Sequence, residues 1–273
     1  MILAEVVWDV SPTIVKIFGF ELRWYGLLFA AGFLIGYQII DRIFKAEGKP
    51  EKDLDSLLVT MIISTVLGAR IGHYVFYEGR YFFEAPVKFV MEMLIPPYAG
   101  LASHGAGFGI VFALWLYSRK RLDQPFLWVM DRIAIVVALS GFCIRFGNLM
   151  NSEIVGKPTD LPWGFVFMQN TEYPLVPRHP AQLYESLSCL LLFIIMLLIW
   201  NKYKSKTPHG LLSGLFFVWV FTLRFLYEFL KENQEAFENG MALNMGQWLS
   251  IPMVCFGIYL LVHSQKSKQL VVQ

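Results

Sequence analysis

The string RFGNLMNSE, residues 145–153, places a guanidinium (Arg145), two amides (Asn148, Asn151) and a carboxylate (Glu153) within nine positions. That combination makes a phosphate-binding edge. Gly147 and Gly156 flank it and would let backbone approach a ligand. A second string, HGAGFG from His104, sets an imidazole beside alternating glycines. Imidazole moves protons near neutral pH. The bland reading is close helix packing, with Gly105 and Gly109 as a small-xxx-small pair. Arg224 and Glu228 lie one helical turn apart. They read as an intrahelical ion pair in the weaker order, or as an arginine facing a lipid phosphate. RHPAQLYE, residues 178–185, puts Gln182 and Glu185 on adjoining helix faces at the outer interface. Tyr25 is most simply an interfacial tyrosine.

The elements that must carry these residues follow from composition. The 273 residues are 56% hydrophobic and 16% charged, with mean hydropathy +0.52. Soluble domains are nearer 45–50% apolar and about 25% charged. A disordered chain is excluded, and the composition argues against a compact soluble enzyme. The charge deficit is local. Seven continuous apolar stretches read as spans, at 22–40, 57–77, 100–117, 126–146, 183–200, 211–230 and 245–262. Stretches of 18–21 residues cross a hydrocarbon core as helices. Their continuity argues against the alternating pattern of a barrel. Only Arg23, Arg70, Asp131, Arg132, Arg145, Glu185, Arg224 and Glu228 are charged within them. Ionisable residues inside a membrane are costly, so each is a functional candidate or a paired structural charge. Asp131 and Arg132 favour a structural or interfacial role, while Arg70 and His73 are open either way.

The expected fold is therefore a single all-α, seven-span membrane domain covering 1–273. Lysines and arginines concentrate at 41–54, 118–125, 201–209 and the tail. Those segments should be cytoplasmic, with the N-terminus outside and the C-terminus inside. No Lys or Arg precedes Lys16, which argues against a signal peptide. Tyr77, Tyr117, Trp128, Trp200 and Trp248 near span ends suit interfacial aromatics. The larger inserts, 78–99, 147–180 and 231–244, fall on the outer face. Arg80, Glu84, Lys88 and Glu92 alternate in sign every four residues, as on an amphipathic helix lying in the interface and ended by Pro96 and Pro97. The 147–180 insert, rich in Pro and Gly, reads as a small outer cap. Cys143, Cys189 and Cys255 are expected to be buried apolar residues without disulfides. Net charge +2 implies no nucleic-acid partner, and no metal-ligand cluster is visible.

With these residues in view, the chain resembles the bacterial prolipoprotein diacylglyceryl transferases. The match runs through RWYG at 23–26, GARIGHYVFY at 68–77, LASHGAGFGI at 101–110 and RFGNLMNSEIVG at 145–156. It continues through RHPAQLYE at 178–185, RFLYEF at 224–229 and MGQWLSIPM at 245–253. The resemblance implies seven spans in the cytoplasmic (inner) membrane of a bacterium, with the active site at the outer leaflet. It implies transfer of the diacylglyceryl group of phosphatidylglycerol to the lipobox cysteine of a prolipoprotein signal peptide, forming a thioether and releasing glycerol phosphate. The site residues implied are Tyr25, His104, Arg145, Asn148, Glu153, Gly156, Arg224 and Glu228. One departure is Val220, where the family often has a tyrosine one turn before the second arginine. No cofactor or metal is expected.

The implied chemistry needs a thiolate, whose thiol ordinarily titrates near 8.5, and a holder for charge on the leaving phosphate. Arg145 and Arg224 are expected to hold it, with Asn148 adding neutral donors. Glu153 and Glu228 would orient the arginines, and His104 would assist thiol deprotonation. A small-solute transporter is the alternative class. An intramembrane serine protease is disfavoured, because Ala138-Leu139-Ser140-Gly141 lacks the first glycine of GxSG.

Overall fold

The structure is a computed structural model, and it describes residues 5–76, 78, 81–95, 102–233 and 240–271. The described chain is mostly helical. Its helices are α1 (Trp24–Ala46), α2 (Glu51–Phe76), α3 (Tyr81–Glu84), α4 (Pro86–Leu94) and α5 (Ser103–Arg119). They continue with α6 (Phe126–Met150), α7 (Ala181–Tyr203), α8 (Leu211–Tyr227) and α9 (Met245–Val271). Among the described residues, six helices are long and apolar enough to cross a membrane: α1, α2, α6, α7, α8 and α9. The stretch expected at 100–117 appears as the 17-residue α5 and is not among those six.

Four short strands were not expected. β1 (Val6–Trp8) pairs in parallel with β4 (Phe165–Phe167), and β2 (Thr13–Ile17) pairs antiparallel with β3 (Phe20–Arg23). Strands of three to five residues are too short for a period-2 pattern to stand out in sequence. The single helix expected over 78–99 is instead broken at Ala85, before Pro86 opens α4. Proline is suited to a first helical turn, not to a helix interior. α4 ends before extended Ile95, and Arg80, Pro96 and Pro97 lie outside the described residues.

The chain forms two compact units. One comprises the chain to residue 40 and from 131 onward, the other residues 41–130.

In the 41–130 unit, α2 and α5 meet through glycine. A Cβ on Gly72 would lie 2.5 Å from the Gly105 Cα, and one on Gly109 would lie 2.7 Å from the Ser64 carbonyl oxygen. The packing reading of Gly105 and Gly109 therefore holds. At the other end of the pair, Asp53 accepts from Gln124 (2.7 Å) and pairs with Arg121 (3.0 Å). Tyr117 and Trp128 are not belt aromatics. Both are buried, with Tyr117 Oη donating to the Asp53 carbonyl and Trp128 Nε1 donating to Glu47. Arg70 is buried and donates to the Glu92 and Met93 carbonyls, the last turn of α4. Its role there is a helix C-terminal cap, since the last carbonyls of a helix lack intrahelical donors.

In the other unit, α6 is the most buried span: 67% of its apolar window is buried, against 22–28% in the other five. α1 approaches it at Gly32 against Ser140, Gly36 against Val136, and Gly147 against the Tyr25 ring. α7 approaches it at Gly141 against Cys189. Asp131, fully buried, takes the open N–H groups that begin α8, from Gly210 (2.7 Å) and Ser213 (2.8 Å), with the Ser213 hydroxyl at 2.8 Å. A carboxylate there also meets the positive end of the helix dipole. That makes Asp131 structural, as expected. The cysteines diverge: Cys143 is buried, Cys189 half-buried and Cys255 exposed on α9. An apolar thiol facing outward is no penalty on a span whose surroundings are lipid.

The glycine contacts give a paired test. Gly105→Ala should lower the melting temperature, because its methyl would run into Gly68 and Gly72 backbone. Gly107→Ala meets nothing within 4 Å. It should be neutral or stabilise by up to about 1 kcal/mol through helix propensity. Thermal unfolding of the two purified variants checks both.

Candidate active site

The ends of four helices bring the ionisable residues together. α6 ends just after Arg145, α7 begins just before Glu185, α8 runs through Arg224 into Glu228, and α9 begins at Met245. Arg145 Nε lies 3.0 Å from Glu185 Oε2. Lys231 Nζ lies 3.2 Å from Glu185 Oε1 and 2.7 Å from Glu228 Oε1. Arg224 Nε lies 3.8 Å from Glu228 Oε1. Asn244 donates to the other Glu228 oxygen at 2.9 Å and is itself fixed by reciprocal bonds with Gln247. Gly246 leaves room for the Glu228 carboxylate, which a Cβ would meet at 2.8 Å.

Burial within this set is uneven. The side chains of Lys231, Glu228 and Glu185 are 1–7% exposed, while those of Arg145 and Arg224 are 24% and 25% exposed. Three cations face two carboxylates. The buried members hold one another, and the two guanidinium groups form the accessible side. A buried carboxylate or ammonium is tolerated only with partners of opposite sign.

Beside this network is a second one around Glu153. Its carboxylate accepts from Asn148 (2.6 Å) and Asn151 (3.3 Å), and its backbone carbonyl accepts from Gln182 (2.5 Å). Ser152 and Ile154, on either side of it, have φ of 53° and 56°. A β-branched residue at positive φ is strained, and such strain clusters at functional sites. Tyr25, at the start of α1, lies within electrostatic reach of both Glu153 and Arg145. Its ring packs on Gly147.

The cap holds Glu153 in place. Trp8 Nε1 donates to the Leu149 carbonyl, and Leu149, Val155 and Phe167 form a small core with Trp8, Phe165 and Tyr173 against it. Gly156 is crowded by His179 and by the Leu230 carbonyl, so a side chain there would displace protein backbone. Arg178, buried, pairs with Glu232 at 2.6 Å and donates to the Gly156 carbonyl. Burial holds the His179 imidazole below its ordinary range.

Tyr25, Arg145, Asn148, Glu153, Gly156, Arg224 and Glu228 therefore all fall in one unit, with Arg145 five residues before the end of α6 and Arg224 in the last turn of α8. His104 falls in the 41–130 unit, half-buried at the start of α5. The expected pairings differ in detail. Glu185, not Glu153, stands against Arg145. The shortest partners of Glu228 are Lys231 and Asn244 rather than Arg224. Gln182 and Glu185, read as interfacial, are buried. Lys231 and Asn244 were missed altogether. Lys231 looks like one more loop lysine in sequence, and its only local signal is the i,i+3 spacing from Glu228.

Lys231→Met should cost about 3 kcal/mol of stability, since it strands two buried carboxylates. Lys231→Arg should keep most of the stability. Adding Glu185→Gln to Lys231→Met should recover part of the loss, as coupled neighbours do. Denaturation of the parent, these three variants and Glu185→Gln alone, in one detergent, checks the cycle.

Residues 12–263 match the family model described as prolipoprotein diacylglyceryl transferase. The chain is 44% identical over 261 residues to the phosphatidylglycerol–prolipoprotein diacylglyceryl transferase of Tolumonas auensis, covering 96% of this chain and 98% of that one. It is 42% identical to the protein of the same name from Chloroherpeton thalassium, covering 97% and 96%. For the Bacteroides fragilis protein of that name the identity is 41%, covering 98% of each. The matched span holds both arginines, the glutamates that brace them and the Glu153 network, and the chain belongs to the prolipoprotein diacylglyceryl transferase family.

Proposed function

We propose that this chain transfers the diacylglyceryl group of phosphatidylglycerol to the lipobox cysteine thiol of prolipoproteins. The observation that carries the site assignment is the uneven burial of the charge network. Two arginines form its accessible side, and the buried Glu185, Lys231 and Glu228 brace them from behind. A surplus of cation on the accessible side suits a lipid phosphate. In the reaction the cysteine sulfur attacks the glycerol carbon that bears the phosphate ester. A C–S bond forms, the C–O bond breaks, and its electron pair leaves with glycerol phosphate. The thiol proton must go to a base.

Arg145 and Arg224 hold the phosphate as its charge grows, because a guanidinium fork pairs two oxygens and stays protonated. Asn148 and Glu153 shape the edge beside Arg145, with Tyr25 against them. Gly156 keeps the cap backbone close to α8. His104 is the sequence-based candidate for assisting thiol deprotonation, as its imidazole titrates near neutral pH.

The helix ends support a membrane setting. The site lies where α6 and α8 end and where α7 and α9 begin. The opposite ends carry Arg119, Lys120 and Arg121 before α6, and Lys202, Lys204 and Lys206 at the end of α7 and just after it. Lys/Arg-rich loops stay cytoplasmic, so the site faces the outer leaflet of a bacterial inner membrane. α5, about 26 Å long at 1.5 Å per residue, is the seventh span, at the short end of what crosses a hydrocarbon core. Seven spans put the N-terminus outside and the C-terminus in the cytoplasm.

The test is phosphatidylglycerol with a lipobox peptide, read as a diacylglyceryl mass gain on cysteine and release of glycerol phosphate. Arg145→Lys and Arg224→Lys should each lower turnover by about a hundredfold while the protein keeps its melting behaviour. Near-normal turnover in either variant removes that arginine from the reaction. A peptide with serine in place of cysteine should stay unmodified, and equal modification of it would refute thioether formation.

A further inference from the structure

The hairpin β2–β3 has two unlike faces. Val15 stands opposite Leu22, Lys16 opposite Glu21, and Ile17 opposite Phe20. Opposed residues in an antiparallel pair share a face, and faces alternate along each strand. One face thus carries Lys16 and Glu21, paired at 2.6 Å, with Arg23 bound to Glu21 at 2.9 Å. The other carries Val15, Ile17 and Leu22, which are 39%, 54% and 36% exposed. The turn joins Phe18 (φ 48°) to Gly19 (φ 84°), the left-handed pair of a tight two-residue hairpin loop. It leaves Phe18 fully exposed at the tip. Phenylalanine is a poor choice for positive φ, so its place there calls for something the side chain does.

Among the described residues, the two strands form a sheet of their own and pack extensively on no other element. A lone two-stranded hairpin is marginal in water. This one is not free to go far. Arg23 is followed directly by Trp24, the first residue of a 23-residue span, and Trp24 N–H donates to the Pro12 carbonyl at the hairpin's root. With no linker, the hairpin must start at the level where the bilayer core begins, and five strand residues reach only about 17 Å.

We propose that the β2–β3 hairpin lies in the lipid interface, with Phe18 and the Val15–Ile17–Leu22 face seated in the headgroup and acyl boundary. Lys16, Glu21 and Arg23 face water and headgroups. Their net single positive charge suits an anionic leaflet. The bilayer supplies the cover that a third strand or a helix would give in a soluble protein. The hairpin fixes the depth and tilt of the start of α1, where Tyr25 meets Gly147. The membrane contact itself does not depend on the proposed reaction.

The test uses the full chain in vesicles of phosphatidylglycerol and phosphatidylethanolamine. In a Cys255→Ser background, Phe18→Cys and Lys16→Cys are labelled separately with an environment-sensitive fluorophore. The label at 18 should emit to the blue of that at 16, be quenched by nitroxides on the upper acyl chain, and resist aqueous iodide. The label at 16 should show the reverse. Equal iodide quenching at the two positions would overturn the proposal. So would protection at 18 without nitroxide quenching, which would mean that protein covers the tip. Turnover of the labelled proteins, measured alongside, separates failure of this placement from failure of the reaction.

Discussion

Lys231 is the interaction on which the site depends. Its ammonium is buried and touches both Glu185 and Glu228, which come from different helices. Carboxylates that close to one another would repel if no cation sat between them. With Lys231 in place, Glu185 stays beside Arg145 and Glu228 stays beside Arg224. The accessible guanidinium groups are therefore braced by charges already desolvated and already paired. A binding edge made this way needs little reorganisation when an anion arrives, and preorganised charge is what stabilises a leaving phosphate.

The same constraint explains why the cap is where it is. Lys231 must be withheld from water. It follows directly on the short 3-10 turn that extends α8, and its backbone bridges Gly156 of the cap. Lys157 N–H donates to the Leu230 carbonyl, and Glu232 N–H to that of Val155. The cap backbone at 155–157 thus lies against the lysine's own backbone, and crowding at Gly156 is the result of that closeness. Arg178, paired with Glu232, fastens the other side. The strained turn around Glu153 is held against this framework by Gln182, the first turn of α7. The membrane helices and the cap are mutually dependent through a few polar contacts at one end of the unit.

How much of this was legible in sequence divides by range of interaction. Apolar runs of 18–21 residues register strongly in one dimension, so the long helices cover nearly all of the expected stretches and run up to nine residues beyond them. Arg145, Asn148 and Glu153 were legible because they stand within nine residues. Glu185 was visible as part of RHPAQLYE, but its partner Arg145 is forty residues away, and no local pattern carries a pairing at that range. Lys231 opens the 231–244 insert, and a lysine just past an apolar run ordinarily reaches water. The strands β1 and β4 were missed for the same reason: three residues pair with three others across most of the chain.

The expected aromatic belt shows where a compositional rule gives way to local polarity. Tyr117 and Trp128 stand at helix ends, as interfacial aromatics do, yet both turn inward. Each has a polar atom that meets a specific acceptor, the Asp53 carbonyl for one and the Glu47 carboxylate for the other. An aromatic with a satisfied N–H or O–H can be buried without penalty, and these two tie the first turn of α2 and the loop before it to the end of α5 and the start of α6. Phe18 has no such atom, and its ring stays out. The position of an aromatic at a helix boundary thus says only that the residue is amphipathic or apolar. Whether it faces lipid or protein depends on whether an acceptor stands within reach of its polar end.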